Sequence, residues 1–132
     1  PSSGSGIGTV HTYYAAYNRL VNNKAPSLKC TDMADRFATS VGLITADEMA
    51  YAGAVYNTNN TGYYLYTNQN YWTMSPCYYL YGDARAFFAG ISSFAHEVIS
   101  WDHPSIYPVI NLRKDIQFTG LGTASNPYVV AN

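Results

Sequence analysis

The chain has 132 residues, long enough for one hydrophobic core without several disulfides to hold it, and carries a net charge of −1 from seven basic and eight acidic side chains. Such a balance leaves no electrostatic footprint for nucleic acid or for an anionic membrane, because phosphate binding needs clustered Lys and Arg. Charged residues are only 11% of the chain, against roughly 25% in globular domains, so solubility must rest on Tyr, Asn, Thr and Ser, a surface expected in an extracellular or cell-surface setting.

The opening Pro1-Ser2-Ser3-Gly4-Ser5-Gly6 is flexible in composition and residues 1–12 read as leader or linker, with the domain proper over 13–132. This N-terminus lacks the basic and apolar blocks of a signal peptide, and no apolar run approaches twenty residues. Any export signal or anchor is therefore expected outside the chain, with no direct membrane insertion by it. Residues 13–21 fit a helical stripe through Tyr14, Tyr17, Leu20 and Val21, although β-favouring side chains pull the other way. A second helix has clearer signals: Thr45 and Glu48 form a capping box, Asp47 suits the positive end of the dipole, and Gly53 is placed to end it. Asn57-Thr58-Asn59-Asn60-Thr61-Gly62 reads as a turn cluster. Residues 63–67 and 71–74 then read as two strands of a hairpin joined by Asn68-Gln69-Asn70. Further strands are expected over 84–91 and 94–99, linked through Ser92-Ser93, then over 107–112 and 127–130, with a turn at 101–105. Short strands with one or two helices predict an α+β domain. The two cysteines, Cys30 and Cys77, allow one bridge or two free thiols.

The stretch 71–108 holds both tryptophans, two of three histidines and no asparagine, although Asn68, Asn70 and Asn111 stand at its borders. Large flat side chains with a polar tip supply contact area at low entropic cost. Tyr78, Tyr79, Tyr81, Phe94, His96, Trp101, His103 and Tyr107 are therefore the candidate ligand-binding residues. The competing reading is that these rings fill a core.

Several runs together resemble bacterial surface proteins with a C-type-lectin-like domain, a fold shared with formylglycine-generating enzymes and with the variable proteins of diversity-generating retroelements. They are Tyr13-Tyr14-Ala15-Ala16-Tyr17-Asn18-Arg19-Leu20, Val41-Gly42-Leu43-Ile44-Thr45-Ala46-Asp47-Glu48, Tyr71-Trp72-Thr73-Met74-Ser75-Pro76, Pro108-Val109-Ile110-Asn111-Leu112 and Gly122-Thr123-Ala124-Ser125-Asn126-Pro127-Tyr128-Val129-Val130. The resemblance implies a fixed scaffold that displays varying side chains between the Tyr-Trp strand and the Pro-Val-Ile-Asn-Leu strand, facing a protein or glycan ligand on another cell or surface. The chain departs from the pattern at Ser105-Ile106-Tyr107-Pro108, where Gly-Val-Arg-Pro is usual, and so lacks a rigid five-donor guanidinium there. The same resemblance makes Cys30 a candidate partner for a cysteine in a longer N-terminal region. In retroelement-variable proteins, adenine mutation in Asn codons yields Tyr, Ser, His, Ile, Phe, Ala, Cys or Asp. Cys77, Tyr78, Tyr79, Tyr81, Phe94, Ala95, His96, Ile99, His103 and Ser105 are of those types, as ordinary divergence would also allow.

Other chemistry has weaker support. His96, Glu97, Asp102, His103 and Cys77 lack the spacing of a zinc site, Asp83, Glu97 and Asp102 are too scattered for calcium, and no cofactor is implied. A hydrolase would need Glu97, Asp102 and His103, or Ser100 with the latter two, to converge in space. The expected function is thus a non-enzymatic receptor or adhesin-type binding domain whose histidines make binding pH-dependent. Two rivals stand beside it: the head of a pilin-like filament subunit that self-associates through the aromatic face, and a small hydrolase.

Overall fold

The computed structural model describes residues 11–29, 41–100, 104–123 and 125–131. The chain enters on a two-residue strand, Thr12–Tyr13 (β1), which pairs antiparallel with the far end of a much longer strand. Thr12, placed by composition in the linker, is buried. The helical stripe that follows is real but short: one α-turn, Ala15–Tyr17 (α1), widens into a π-helical segment, Asn18–Asn22. Ala16 and Leu20, four residues apart, point into the core, as helical spacing requires. The segment ends with Asn23 N–H on Asn18 O at 3.0 Å and with Lys24 in the left-handed region, at φ 50°.

After a short strand, Gly42–Leu43 (β2), the capping box forms as its residues predict and starts Ala46–Tyr51 (α2). The Glu48 N–H donates to Thr45 Oγ1 at 3.1 Å and the Thr45 N–H donates to the Glu48 carboxylate at 2.7 Å. Ala46 N–H donates to Ser75 Oγ at 2.9 Å, so the first orphan donors of α2 are met by side chains from both sides. Asp47 is buried and held by Arg19, Nε to Oδ1 at 2.9 Å and Nη2 to Oδ2 at 2.6 Å, and by the Ser27 N–H at 2.8 Å. Burial pushes its carboxyl up, but the Arg19 and Ser27 bonds and the Arg19 charge outweigh that and hold it below the usual carboxylate range.

Mixed helix and antiparallel sheet make the chain α+β, with its main sheet in the order β1-β3-β4-β5. Its strands are Tyr71–Leu80 (β3), Asp83–Ala89 (β4) and Phe94–Val98 (β5). The hairpin lies one strand later than the asparagines suggest. Residues 63–67 form turns rather than a strand, and β3 turns back through Tyr81 (φ 51°) and Gly82 (φ 93°). Positive φ at both central residues is the type I′ signature that matches strand twist, whereas Asn68 reaches φ 56° outside any hairpin. The link between β4 and β5 through Ser92-Ser93 stands as expected, closed by Gly90 N–H on Ser93 O at 2.8 Å.

β3 is not regular. Trp72 faces Phe88 and Pro76 faces Ala86, so Thr73, Met74 and Ser75 oppose Phe87 alone, and Cys77 is one further extra residue before Tyr78 faces Arg85. Here β3 leans toward α2, with Met74 N–H on Ile44 O at 2.9 Å. The core gathers on this side: Met49 from α2, Cys77 from β3, Phe87 and Ala89 from β4, and Phe94 from β5, with Ala16 and Leu20 above them. Cys77 is a free, fully buried thiol, and Cys30 lies outside the described residues. Beyond β5 the two expected strands shrink to Pro108–Val109 (β6, paired with β2) and, paired with an unexpected strand Phe118–Thr119 (β7), Val129–Val130 (β8).

Candidate functional site

Strand alternation sorts the rings at the β3–β4 end. Tyr78 pairs with Tyr13 and Arg85, while Tyr79 pairs with Thr12 and Ala84, so the two neighbouring tyrosines leave opposite faces of the sheet. Tyr78 joins a continuous band. Tyr13 lies 4.7 Å from Tyr17 and 5.7 Å from Tyr78 between ring centroids, Tyr17 meets Tyr78 edge-on at 5.7 Å, and the Arg85 guanidinium sits 5.6 Å over the Tyr78 ring. His11, two residues before Tyr13 on the same side of β1, packs edge-on against Tyr81 at 4.5 Å. Tyr13 is 43% and Tyr81 81% exposed, so the outer part of the band is open to a ligand.

His96 supports this band from beneath. On β5 its ring stacks on Tyr56 at 5.7 Å and meets Tyr78 edge-on at 4.9 Å. Its Nδ1 hydrogen-bonds the Tyr56 hydroxyl and its Nε2 the Tyr78 hydroxyl, the latter at 2.8 Å. A neutral imidazole has one donor and one acceptor nitrogen and a phenol can play either part, so the chain Tyr56–His96–Tyr78 is satisfied without charge. Burial, and then the Arg85 charge, hold the His96 pKa below its ordinary value. Burial likewise pushes the Tyr78, Tyr17 and Tyr56 hydroxyls up, so all three stay protonated at neutral pH.

The remaining expected contacts do not converge on this patch. Phe94 is a core residue, 2% exposed and stacked on Phe87 at 5.4 Å, because β5 alternation turns it inward beside His96 and Val98. As placed, it cannot touch a ligand on the aromatic band. Tyr107 packs edge-on against Tyr71 at 4.9 Å and donates to Gln69 Oε1 at 3.4 Å. It lines an apolar cleft of about 210 Å³ at the opposite end of β3, about 20 Å away at strand rise. Trp101 and His103 lie outside the described residues, as does Asp102. Of the proposed hydrolase residues, Glu97 and Ser100 are described, and the Glu97 carboxylate accepts the N–H of Val98 beside it at 2.8 Å. Among the described residues no group of three or more His, Cys, Asp or Glu is placed to hold a metal, and no helix is long and apolar enough to cross a membrane.

His11, Tyr13, Tyr17, Tyr56 and Arg85 belong to the site although sequence reasoning passed over them. The four-residue spacing of Tyr13 and Tyr17 was a visible sign, but Tyr56 sits 40 positions from His96 and nothing local announces their contact. No protein-family model matches the chain, and no curated protein or solved structure matches it.

Proposed function

We propose that the chain is a non-enzymatic binding domain, displayed at or outside the cell surface, that grips a protein or glycan ligand through the band Tyr81–His11–Tyr13–Tyr17–Tyr78. The observation that carries this is the two neighbouring ring groups at one end of the sheet, Tyr13–Tyr17–Tyr78 and His11–Tyr81, open at Tyr13 and Tyr81, with Tyr78 braced by His96 and Arg85. Rings locked by mutual packing lose little entropy on binding, offer flat faces to sugar C–H groups or peptide side chains, and keep hydroxyls for directional bonds. A C-type-lectin-like scaffold and diversification by a retroelement belong with this reading. The mixture of buried Cys77 and Phe94 with exposed Tyr81 and Ile99 narrows any variable set to its outward members. A glycan and protein array probed with the domain, with Tyr13→Ala and with Tyr81→Ala tests it. The reading expects one class of ligand whose signal falls at least about tenfold in both variants, as for interface hot spots. Retained signal in both removes the band from the site.

A second reading, a self-associating filament subunit, draws on a different observation. Ile106, Ile110, Leu112, Leu121 and Tyr128 are all more than half exposed along the C-terminal run, an apolar surface of the kind that marks contacts between proteins. Concentration-dependent mass in solution that is lost on Ile110→Asp and Leu121→Asp supports assembly; a monomer at all concentrations removes it.

A further inference from the structure

We infer that the cavity between the π-helical segment and α2 is a binding site for a small anionic amphiphile, an apolar body of about eight heavy atoms carrying one acidic head, of the medium-chain carboxylate type. This site is separate from the aromatic band and does not depend on it. The space measures about 240 Å³. At the roughly 30 Å³ that a water-sized group occupies, it takes about eight such groups. Leu20 and Val21 wall it from the π-helical segment, Ala50 and Ala54 from α2 and the turn after it, and Phe94 and Tyr56 form the other side.

The polar groups nearby are already engaged, with one exception. The Tyr56 hydroxyl is bound to His96, and the Thr58 hydroxyl donates to Tyr56 O at 3.3 Å. The Asp47 carboxylate is occupied by Arg19 and by the Ser27 N–H. Lys24 lines the same cavity, and no carboxylate among the described residues pairs with it. Among the described residues it is also one of four non-glycine residues at positive φ, a conformation strained for a side chain that gathers at functional sites. The wall that leads to it is π-helical, a widening seen mostly as single turns and often where ligands bind. An apolar hollow with a single unpaired cation at its edge selects an apolar molecule with a single negative charge.

The test uses sodium octanoate and 1-octanol, equal in chain length and different in charge, titrated into ¹⁵N-labelled protein while amide shifts are followed. Saturable shifts at Leu20, Val21, Ala54 and Phe94 are expected with octanoate, at a Kd of about 1 mM or tighter for a ligand of this size. Lys24→Met should weaken octanoate about three- to fivefold, as for an exposed ion pair, and leave octanol unchanged. Val55→Trp, at a half-exposed lining position, should weaken both. Absence of saturable shifts, or octanoate binding indifferent to either substitution, overturns the assignment. Loss on Val55→Trp without any effect of Lys24→Met overturns the anionic head. Because Tyr13 and Tyr81 do not line the cavity, failure here leaves the surface-binding result untouched.

Discussion

Removing the His96 imidazole should change how stability depends on pH, and in a definite direction. The folded pKa of His96 lies below its unfolded value because burial and the Arg85 charge disfavour the imidazolium. The unfolded chain therefore binds the proton more readily. Stability from this residue is complete above the unfolded value of about 6.5 and is lost as pH falls from there toward the folded pKa. Each pH unit in that window removes up to about 1.4 kcal/mol. Protonation also makes both ring nitrogens donors, so whichever of Tyr56 and Tyr78 had donated must turn its O–H away. Urea unfolding at pH 8, 7, 6 and 5.5 reads the effect. With m near 1–3 kcal/mol/M, a loss of 1.4 kcal/mol moves the midpoint by about 0.5–1.4 M. His96→Gln should cost about 1–3 kcal/mol at pH 8, from two hydrogen bonds and two ring contacts partly replaced. Its stability should also fall less steeply below pH 6.5 than that of the wild type. Parallel profiles for the two proteins would refute the reasoning, since groups other than His96 would then carry all the pH dependence.

Asp47→Asn leaves Arg19 beside a neutral group and should destabilise by about 3 kcal/mol in thermal unfolding, the lower end for a broken buried pair because the Arg19 side chain keeps 33% exposure. A loss under about 1 kcal/mol would mean that the pair is solvated like a surface bridge. The Cys77 thiol, pushed up to about 12 by burial, should resist iodoacetamide at pH 8 in the folded protein and react in urea, as peptide mass mapping would show; rapid native labelling contradicts the placement. At Gly120, φ is 97° and an added Cβ would stand 2.1 Å from Pro127 O. Gly120→Ala should therefore open the β7–β8 pair, and unchanged protection of the Leu121 N–H, which bonds Asn126 O at 3.0 Å, would show that the turn adapts.

Local chemistry made α2 legible, because Thr45 and Glu48 satisfy each other within four residues and no distant contact competes. The strands over β4 and β5 were readable from their apolar β-formers and the Ser92-Ser93 break. The misplaced hairpin shows where such reading stops. Asn68-Gln69-Asn70 has strong turn chemistry, yet the pairing is decided by the sheet that Phe87, Phe94 and Cys77 bury, and Tyr81-Gly82 serves as the turn despite a tyrosine in a left-handed position. Tyr78 and Tyr81 stood out because ring-rich segments are conspicuous. The burial of Phe94 was not legible because composition cannot tell which face of β5 looks inward, and the Tyr56–His96 contact was not because a contact across 40 positions leaves no trace in its neighbours.

The irregularity at Cys77 has a consequence for how this scaffold tolerates change. One surplus residue sets the parity of everything downstream, so Tyr78 looks toward the helices and Tyr79 away from them. Substitutions along Tyr78-Tyr79-Leu80-Tyr81 alter what is shown on each side but not which side shows it. Deleting Tyr78 would instead shift each following residue by one place, putting Tyr79 in the space beside His96 and Leu80 on the face that Tyr79 now takes. The domain can therefore accept many letters at this edge while being intolerant of a change in their count.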